Sequence, residues 1–206
     1  MEAIDLLVSR RSCVAAALGE PGPGEGELTR ILEAGIRVPD HKKLSPWRIQ
    51  VLDGPGQARL GEVCAQAYRR DHPDASRAVV AAERARPCRS PVLLVVASRL
   101  DPAAPVPEIE QLLSGGAVCM NLLNAAHALG YAGQWLTDWP AYDARVKAAL
   151  GHGEGDHVLG WIHLGTPTVA PTERWRAAVA DVVSRWSAPV PPPGVEAPVG
   201  RGGARR

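Results

Sequence analysis

Arg10, Arg11 and Ser12 stand side by side near the start of this 206-residue chain, where a short helix delivers them to a loop, the first place to look for chemistry. A guanidinium offers paired donors to phosphate oxygens, and a serine hydroxyl adds a short charge-assisted hydrogen bond. The same residues would also serve as a basic helix end that complements the helix dipole. Further on, Arg37 and His41 lie in AGIRVPDHKKLSPW (residues 34–47), followed directly by Lys42 and Lys43. Those lysines could attract a phosphorylated ligand or merely solubilise a loop, and the sequence leaves both open.

Other groups with chemical potential do not assemble. Gly22, Gly24 and Gly26 imitate a dinucleotide loop, but no strand precedes them, so they are expected to form a structural turn. His152, His157 and His163 do not share a helical face, and no metal site is expected. Cys13, Cys64, Cys88 and Cys119 show no paired spacing and read as reduced, mostly structural thiols. No Ser/His/Asp or Cys/His arrangement emerges from spacing. Arg201, Arg205 and Arg206 fall in a glycine-rich tail and read as solvated.

The elements that must position these residues follow from hydrophobic periodicity. Residues 2–9 place Ile4, Leu7 and Val8 on one helical face and deliver Arg10 and Arg11 to a loop. A second helix is expected over 27–36, ended by Pro39, then a strand over 48–52 and a helix over 58–70. The run PVLLVVAS (91–98) has the continuous aliphatic character of a strand buried on both faces, at the centre of a sheet. Residues 108–129 predict the longest helix, with so few charges after Glu110 that it should be buried nearly all round. Its Gly115 and Gly116 imply a close approach by a cofactor or by another element. Strands over 131–137 and 157–165 flank a helix over 141–150. The order implies an α+β domain over 1–186 with helices on both faces of a central sheet, and a disordered Pro/Gly/Arg tail over 187–206. The chain has no Phe, so its core should rest on Leu, Val, Ala and the six Trp, helped by a partner subunit or a flat cofactor.

Composition narrows the partners. A formal net charge of +1 supplies no broad field for nucleic acid or an anionic membrane. No apolar run approaches the roughly 20 residues that span a bilayer, and the N-terminal segment carries acids where a secretory signal carries bases. A cytoplasmic protein acting on small molecules is expected.

Taken in order, three patterns resemble the nitroreductase superfamily, and within it the short YdjA-like branch. They are the opening helix with Arg10-Arg11-Ser12, the 34–47 segment with its Pro-Asp-His-Lys and Pro-Trp, and GYAGQWLT (130–137) with the later Leu164-Gly165-Thr166-Pro167. The resemblance runs from residue 1 to about residue 170 and lies in order and register rather than in one motif. It implies a central mixed or antiparallel sheet in a domain-swapped homodimer that binds FMN and passes hydride from NAD(P)H, through flavin N5, to a nitroaromatic or quinone-like acceptor by a ping-pong mechanism. Arg10 and Ser12 would hold the phosphate, with Arg11 contributing its side chain or only its backbone. Trp135, Leu136 and Thr137 would line the flavin, while Arg37 and His41 would reach it from the partner subunit. No catalytic side chain is implied, because the cofactor carries the chemistry.

Two departures stand out. Many members follow the Arg-Arg-Ser element with a basic residue and an aromatic, where this chain has Cys13-Val14-Ala15-Ala16-Ala17; Arg37 is the candidate to stabilise charge on the reduced ring instead. Ser45 stands where longer relatives often carry Gln. A specialised biosynthetic flavin dehydrogenase or oxidase, or a non-catalytic flavin redox sensor, would share nearly all of these features.

Overall fold

The computed structural model describes residues 2–186. They divide into a unit that ends at Thr172 and a separate segment, 173–186, whose regular structure is the four-residue helix α8 (Val179–Val182). The tail over 187–206, expected to be disordered, lies outside the described residues.

The sheet grows around β3 (Val92–Ser98), the aliphatic run of the sequence. Along it Leu94 and Val96 face one way, Leu93, Val95 and Ala97 the other, and all five are buried, as a two-sided central strand requires. β3 pairs antiparallel with β2 (Trp47–Leu52) on one side and β5 (His157–Pro167) on the other. β5 also pairs antiparallel with β4 (Ala132–Leu136) and with the two-residue β1 (Leu18–Gly19), giving five strands with every pairing antiparallel. One layer of helices, α2 (Glu25–Gly35) and α5 (Glu108–Ala128), packs Leu28, Ile31, Val118 and Leu122 on the Leu94 face. The opposite layer comprises α3 (Gly54–Asp71), α4 (Arg77–Ala85), α6 (Trp139–Tyr142) and α7 (Ala144–Ala149); Leu60, Cys64, Ala141 and Val146 close on Leu93, Val95 and Trp161. A short α1 (Ala3–Ser9) precedes the sheet. No helix among the described residues is long and apolar enough to cross a membrane.

Four expectations need correction. The helix expected over 141–150 is two helices, because Asp143 leaves the helical conformation and caps α7 by accepting from the Arg145 and Val146 N–H groups. α5 is not buried all round: Ile109 and Leu113 are more than half exposed, since α2 and the sheet cover only its inner face. The Trp residues share the core unequally: Trp161 is buried, Trp47 and Trp139 are partly buried against the two faces of the sheet, and Trp135, Trp175 and Trp186 are exposed, because Leu, Val and Ala fill most of the interlayer space. The glycines of 22–26 do not share one turn: Gly22 lies in the irregular segment before α2, Gly24 is the N-cap of that helix, its carbonyl accepting from the Leu28 N–H at 2.8 Å, and Gly26 lies inside its first turn.

Candidate functional site

The Arg10–Ser12 segment leaves the C-terminus of α1 and is fastened to two other elements. The Cys13 N–H donates to Gly133 O at 3.1 Å and the Ala15 N–H to Gln134 Oε1 at 2.6 Å, which lays the segment along the start of β4. His127, in the last turn of α5, reaches Arg11 O through Nε2 at 3.0 Å and Leu123 O through Nδ1 at 2.8 Å. Arg10, Arg11 and Ser12 are all partly buried. Arg11 turns its guanidinium back to donate to Val8 O and Arg10 O, at 3.0 and 3.1 Å, in the helix-capping role that its position allowed. Arg10 lies close enough to His127 for its charge to hold the imidazole below the usual histidine range, a smaller cause than burial.

The approach of α5 to β4 is made by a glycine. Gly130, at φ +91°, reverses the chain so that its N–H donates to His127 O and the Tyr131 N–H to Ala126 O, both at 3.0 Å. This left-handed end satisfies two carbonyls of the last turn and sends β4 back along the helix it follows. The strand therefore starts beside the two arginines and runs away from them. Its five residues cover about 15 Å.

At the far end of β4 the indole of Trp135 is about one-third exposed. Its Nε1–H donates to Leu159 O at 2.9 Å. That carbonyl is presented by an irregularity in β5: Val96 faces Gly160 and Ala97 faces Val158, so Leu159 is the extra residue of a bulge. The ring lies over Gly160, where a Cβ would stand 2.3 Å from Nε1. Leu136 is partly buried and Thr137 exposed. Beyond them Asp138 caps α6 and ion-pairs with Arg86, which also binds Glu83; the Trp139 Nε1–H donates to the same Glu83 carboxylate at 2.8 Å. Burial raises the Glu83 pKa, but the Arg86 and Trp139 hydrogen bonds outweigh it and hold the carboxyl below its ordinary range. This network pins the exit of β4 to α4.

Arg37 and His41 sit elsewhere in the protomer. Arg37 is exposed just after α2, with its carbonyl accepting from Asn121 Nδ2 at 3.1 Å. His41 Nδ1 pairs with Glu110 Oε2 at 2.7 Å, close to the start of α5. His41 occupies a loop of unusual backbone, in which Lys42, Lys43 and Ser45 all have positive φ, at 58°, 57° and 47°. The Asp40 carboxylate holds that shape by accepting from the Leu44 and Ser45 N–H groups at 3.0 and 2.8 Å. Such conformations in residues other than glycine cost energy and persist where the surroundings impose them. Trp47 joins in through Ser114: its Nε1–H donates to Ser114 Oγ, which donates to Pro39 O. A cavity of about 290 Å³ opens here, lined by Pro39, His41, Glu110, Leu113, Ser114 and Ala117.

Within one protomer the structure brings Arg10, Arg11, Ser12 and the 135–137 trio to the two ends of one strand, but does not bring His41 to them. Glu110 and His127 are 17 residues apart on α5, so the His41 end lies about 25 Å along the helix from the Arg11 end. The bulge at Leu159, Gly160 beneath the indole, and His127 were not singled out from sequence. Gly160, a glycine in the interior of a predicted strand, was the one available signal. Gly115 is explained by packing, since a Cβ there would meet Leu159 Cδ1 at 2.2 Å, whereas Gly116 borders open space. A larger cleft of about 600 Å³ lies along β2, lined by Arg48, Gln50, Arg99 and His152, and none of the sequence-predicted site residues borders it.

Comparison with known proteins places this arrangement. The Nitroreductase family pattern matches residues 7–166. The Escherichia coli K12 protein named "Putative NAD(P)H nitroreductase YdjA" is 36% identical over 167 residues, covering 81% of this chain and 89% of that protein. A Haemophilus influenzae relative is 31% identical over the same length, with the same coverage. Among solved structures, a nitroreductase-like family protein from Bacillus cereus superposes with a TM-score of 0.77 at 19% identity, covering 91% of this chain and 97% of that one. A nitroreductase with bound FMN from Bacteroides fragilis does so at 0.67 and 20% identity, covering 90% and 98%. With the fold, the register of the motifs and these relatives in agreement, this chain belongs to the nitroreductase family.

Proposed function

We propose that the chain is an FMN-dependent NAD(P)H oxidoreductase that acts as a homodimer on small electron-poor acceptors, nitroaromatic or quinone-like, by alternating use of one stacking site. The observation that carries this reading is the division of labour along β4. Arg10 and Ser12 flank its start, while Arg11 turns its guanidinium back onto α1, and an exposed, hydrogen-bonded indole stands three residues along the strand, about 10 Å away. That donor set fits a ligand with a phosphate at one end and a flat ring at the other.

The separation of His41 from this strand supports the dimer. The outward side of α5 carries Ile109, Leu113, Gly116, Ala117 and Met120, an apolar stripe with small residues at its centre, and α1 adds exposed Ile4, Leu7 and Val8. Two such stripes packed antiparallel about a two-fold axis would carry the His41 end of one α5 to the Arg11 end of the other. His41 and Arg37 would then complete the neighbour's site. The Glu110 carboxylate engages His41 Nδ1 and leaves Nε2 for the neighbour.

Bound FMN would supply the hydride acceptance and release. Arg10 and Ser12 bind and neutralise the phosphate, the Trp135 indole walls the ring from water, Leu136 adds apolar packing and Thr137 a hydroxyl. No side chain has to transfer a proton for hydride to move, so tolerance of varied flat acceptors follows. The test is direct: purify the protein, measure FMN binding, then add NADH or NADPH without oxygen, follow bleaching of the visible flavin band, and add a nitroaromatic to restore it. Arg10→Ala should weaken FMN roughly 10- to 100-fold, the size of a lost charged hydrogen bond. A protein with no affinity for FMN overturns the reading; one that binds FMN but is reduced by neither nicotinamide overturns the activity and points to a sensor.

A further inference from the structure

His127 has no part in the scheme above, yet its side chain ties α5 to the backbone of the Arg10–Ser12 segment. Both of its ring nitrogens meet carbonyl oxygens, Leu123 O at 2.8 Å and Arg11 O at 3.0 Å. A carbonyl only accepts, and a neutral imidazole has one N–H, so it can serve one of the two and turns a lone pair toward the other. The imidazolium serves both. Its bond to Leu123 O stays within α5, whereas its bond to Arg11 O crosses to the loop and sets where the flanking Arg10 and Ser12 stand.

We propose that His127 is a positioning residue for the phosphate-binding loop: its protonated ring bridges α5 to Arg11 O and holds Arg10, Arg11 and Ser12 in place, so that binding of a phosphorylated flavin takes up a proton at this histidine. This rests on the FMN reading given above.

The surroundings make the coupling work. Burial and the Arg10 charge oppose the proton on His127, while the two carbonyls favour it. Arg11 turns its guanidinium to Val8 O and Arg10 O, the Cys13 thiol is held neutral by burial, and β4 carries no ionisable side chain over Ala132–Leu136. On α5 itself the other ionisable groups are Cys119, whose thiol burial pushes up to about 12, and Glu108 and Glu110 at the opposite end. α1 and α2 also pack on α5 and bring Glu2, Asp5, Glu25, Glu27, Arg30 and Glu33, but among the described groups Arg10 is the charge that acts on the ring. A phosphate dianion beside Arg10 cancels its field and raises the affinity of His127 for a proton. By linkage, protonation strengthens phosphate binding by the same factor. A bound phosphate keeps the histidine charged to higher pH, so the contribution of His127 to FMN affinity grows as pH falls through its titration and fades above it.

The test reads binding and protonation rather than turnover. The pKa of His127 is followed by NMR in the wild-type protein with and without FMN, and FMN dissociation constants are measured near pH 6 and near pH 8 for wild type and His127→Gln. The expected results are a higher His127 pKa in the loaded protein and an affinity loss of about tenfold in the variant near pH 6 that shrinks near pH 8, the size of one charge-assisted hydrogen bond. Comparing the two proteins at each pH cancels the titration of the phosphate itself. If His127→Gln does not fold, the wild-type titration decides alone. Wild type that binds FMN with an unmoved His127, or a variant with equal affinity at both pH values, overturns the positioning role and leaves the flavin reading standing. Wild type that does not bind FMN overturns both.

Discussion

His163 provides the sharpest test of how the sheet is built. It lies inside β5 and is 1% exposed, with Nδ1 at 2.8 Å from Ser90 Oγ. The serine donates its proton to Val92 O at 2.9 Å, so it must accept from the imidazole N–H, which suits the neutral ring. Burial, with the charge of Arg89 added, pushes the pKa of His163 down to about 4. An unfolded chain takes up that proton near the ordinary value of about 6.5, so acid favours the unfolded state. The stabilisation is complete above the unfolded value and is lost as the pH falls toward about 4. Between about pH 7 and pH 4.5 the loss amounts to roughly 2 kcal/mol, and at lower pH it approaches roughly 3 kcal/mol. The perturbation is His163→Gln, which can still donate to Ser90 and has nothing to titrate. Urea unfolding of both proteins at a series of pH values removes the contribution of the carboxylates they share. The wild type should lose roughly 2 kcal/mol more than the variant over that range. Parallel curves would refute the assignment of a buried neutral histidine.

The remaining predictions concern the site. Gly160→Ala places a Cβ 2.3 Å from Trp135 Nε1 and should drive the indole off Leu159 O, costing about 1 kcal/mol in thermal unfolding and weakening FMN in a fluorescence titration; unchanged affinity would remove Trp135 from the site. Leu113→Glu, on the exposed stripe of α5, should yield a folded monomer in sedimentation and reduce FMN affinity by removing the neighbour's His41 and Arg37; a dimer of normal strength would show that another face pairs. Arg37→Ala should lower the flavin reduction potential, measured against a redox dye, because no basic residue follows Ser12. A variant with normal potential and normal FMN affinity would dismiss Arg37 as the substitute.

Periodicity alone marked the β3 run, the long α5, the short α1 and the order of the mixed elements, because burial on one or two faces leaves its repeat in the residues themselves. It did not show α4 (Arg77–Ala85), whose nine residues are mostly exposed and which docks through only two buried side chains, Val80 and Glu83, with the backbone at Arg84 O close against Gly61. It also overstated the burial of α5, since an apolar stripe reads the same whether the chain's own sheet or a second copy covers it. The site divides in the same way. Arg10 and Ser12 could be proposed for a phosphate because a phosphate calls for guanidinium and hydroxyl donors, whereas the 135–137 trio was named only through the resemblance to the nitroreductase superfamily. What the chain does with them was decided in three dimensions. The glycine turn at Gly130 lays β4 along α5, the bulge at Leu159 offers the carbonyl that fixes Trp135, and His127 reaches across 116 positions of sequence to hold Arg11 O. Each of these depends on a backbone atom brought close by folding, and backbone atoms are the same at every position of a sequence.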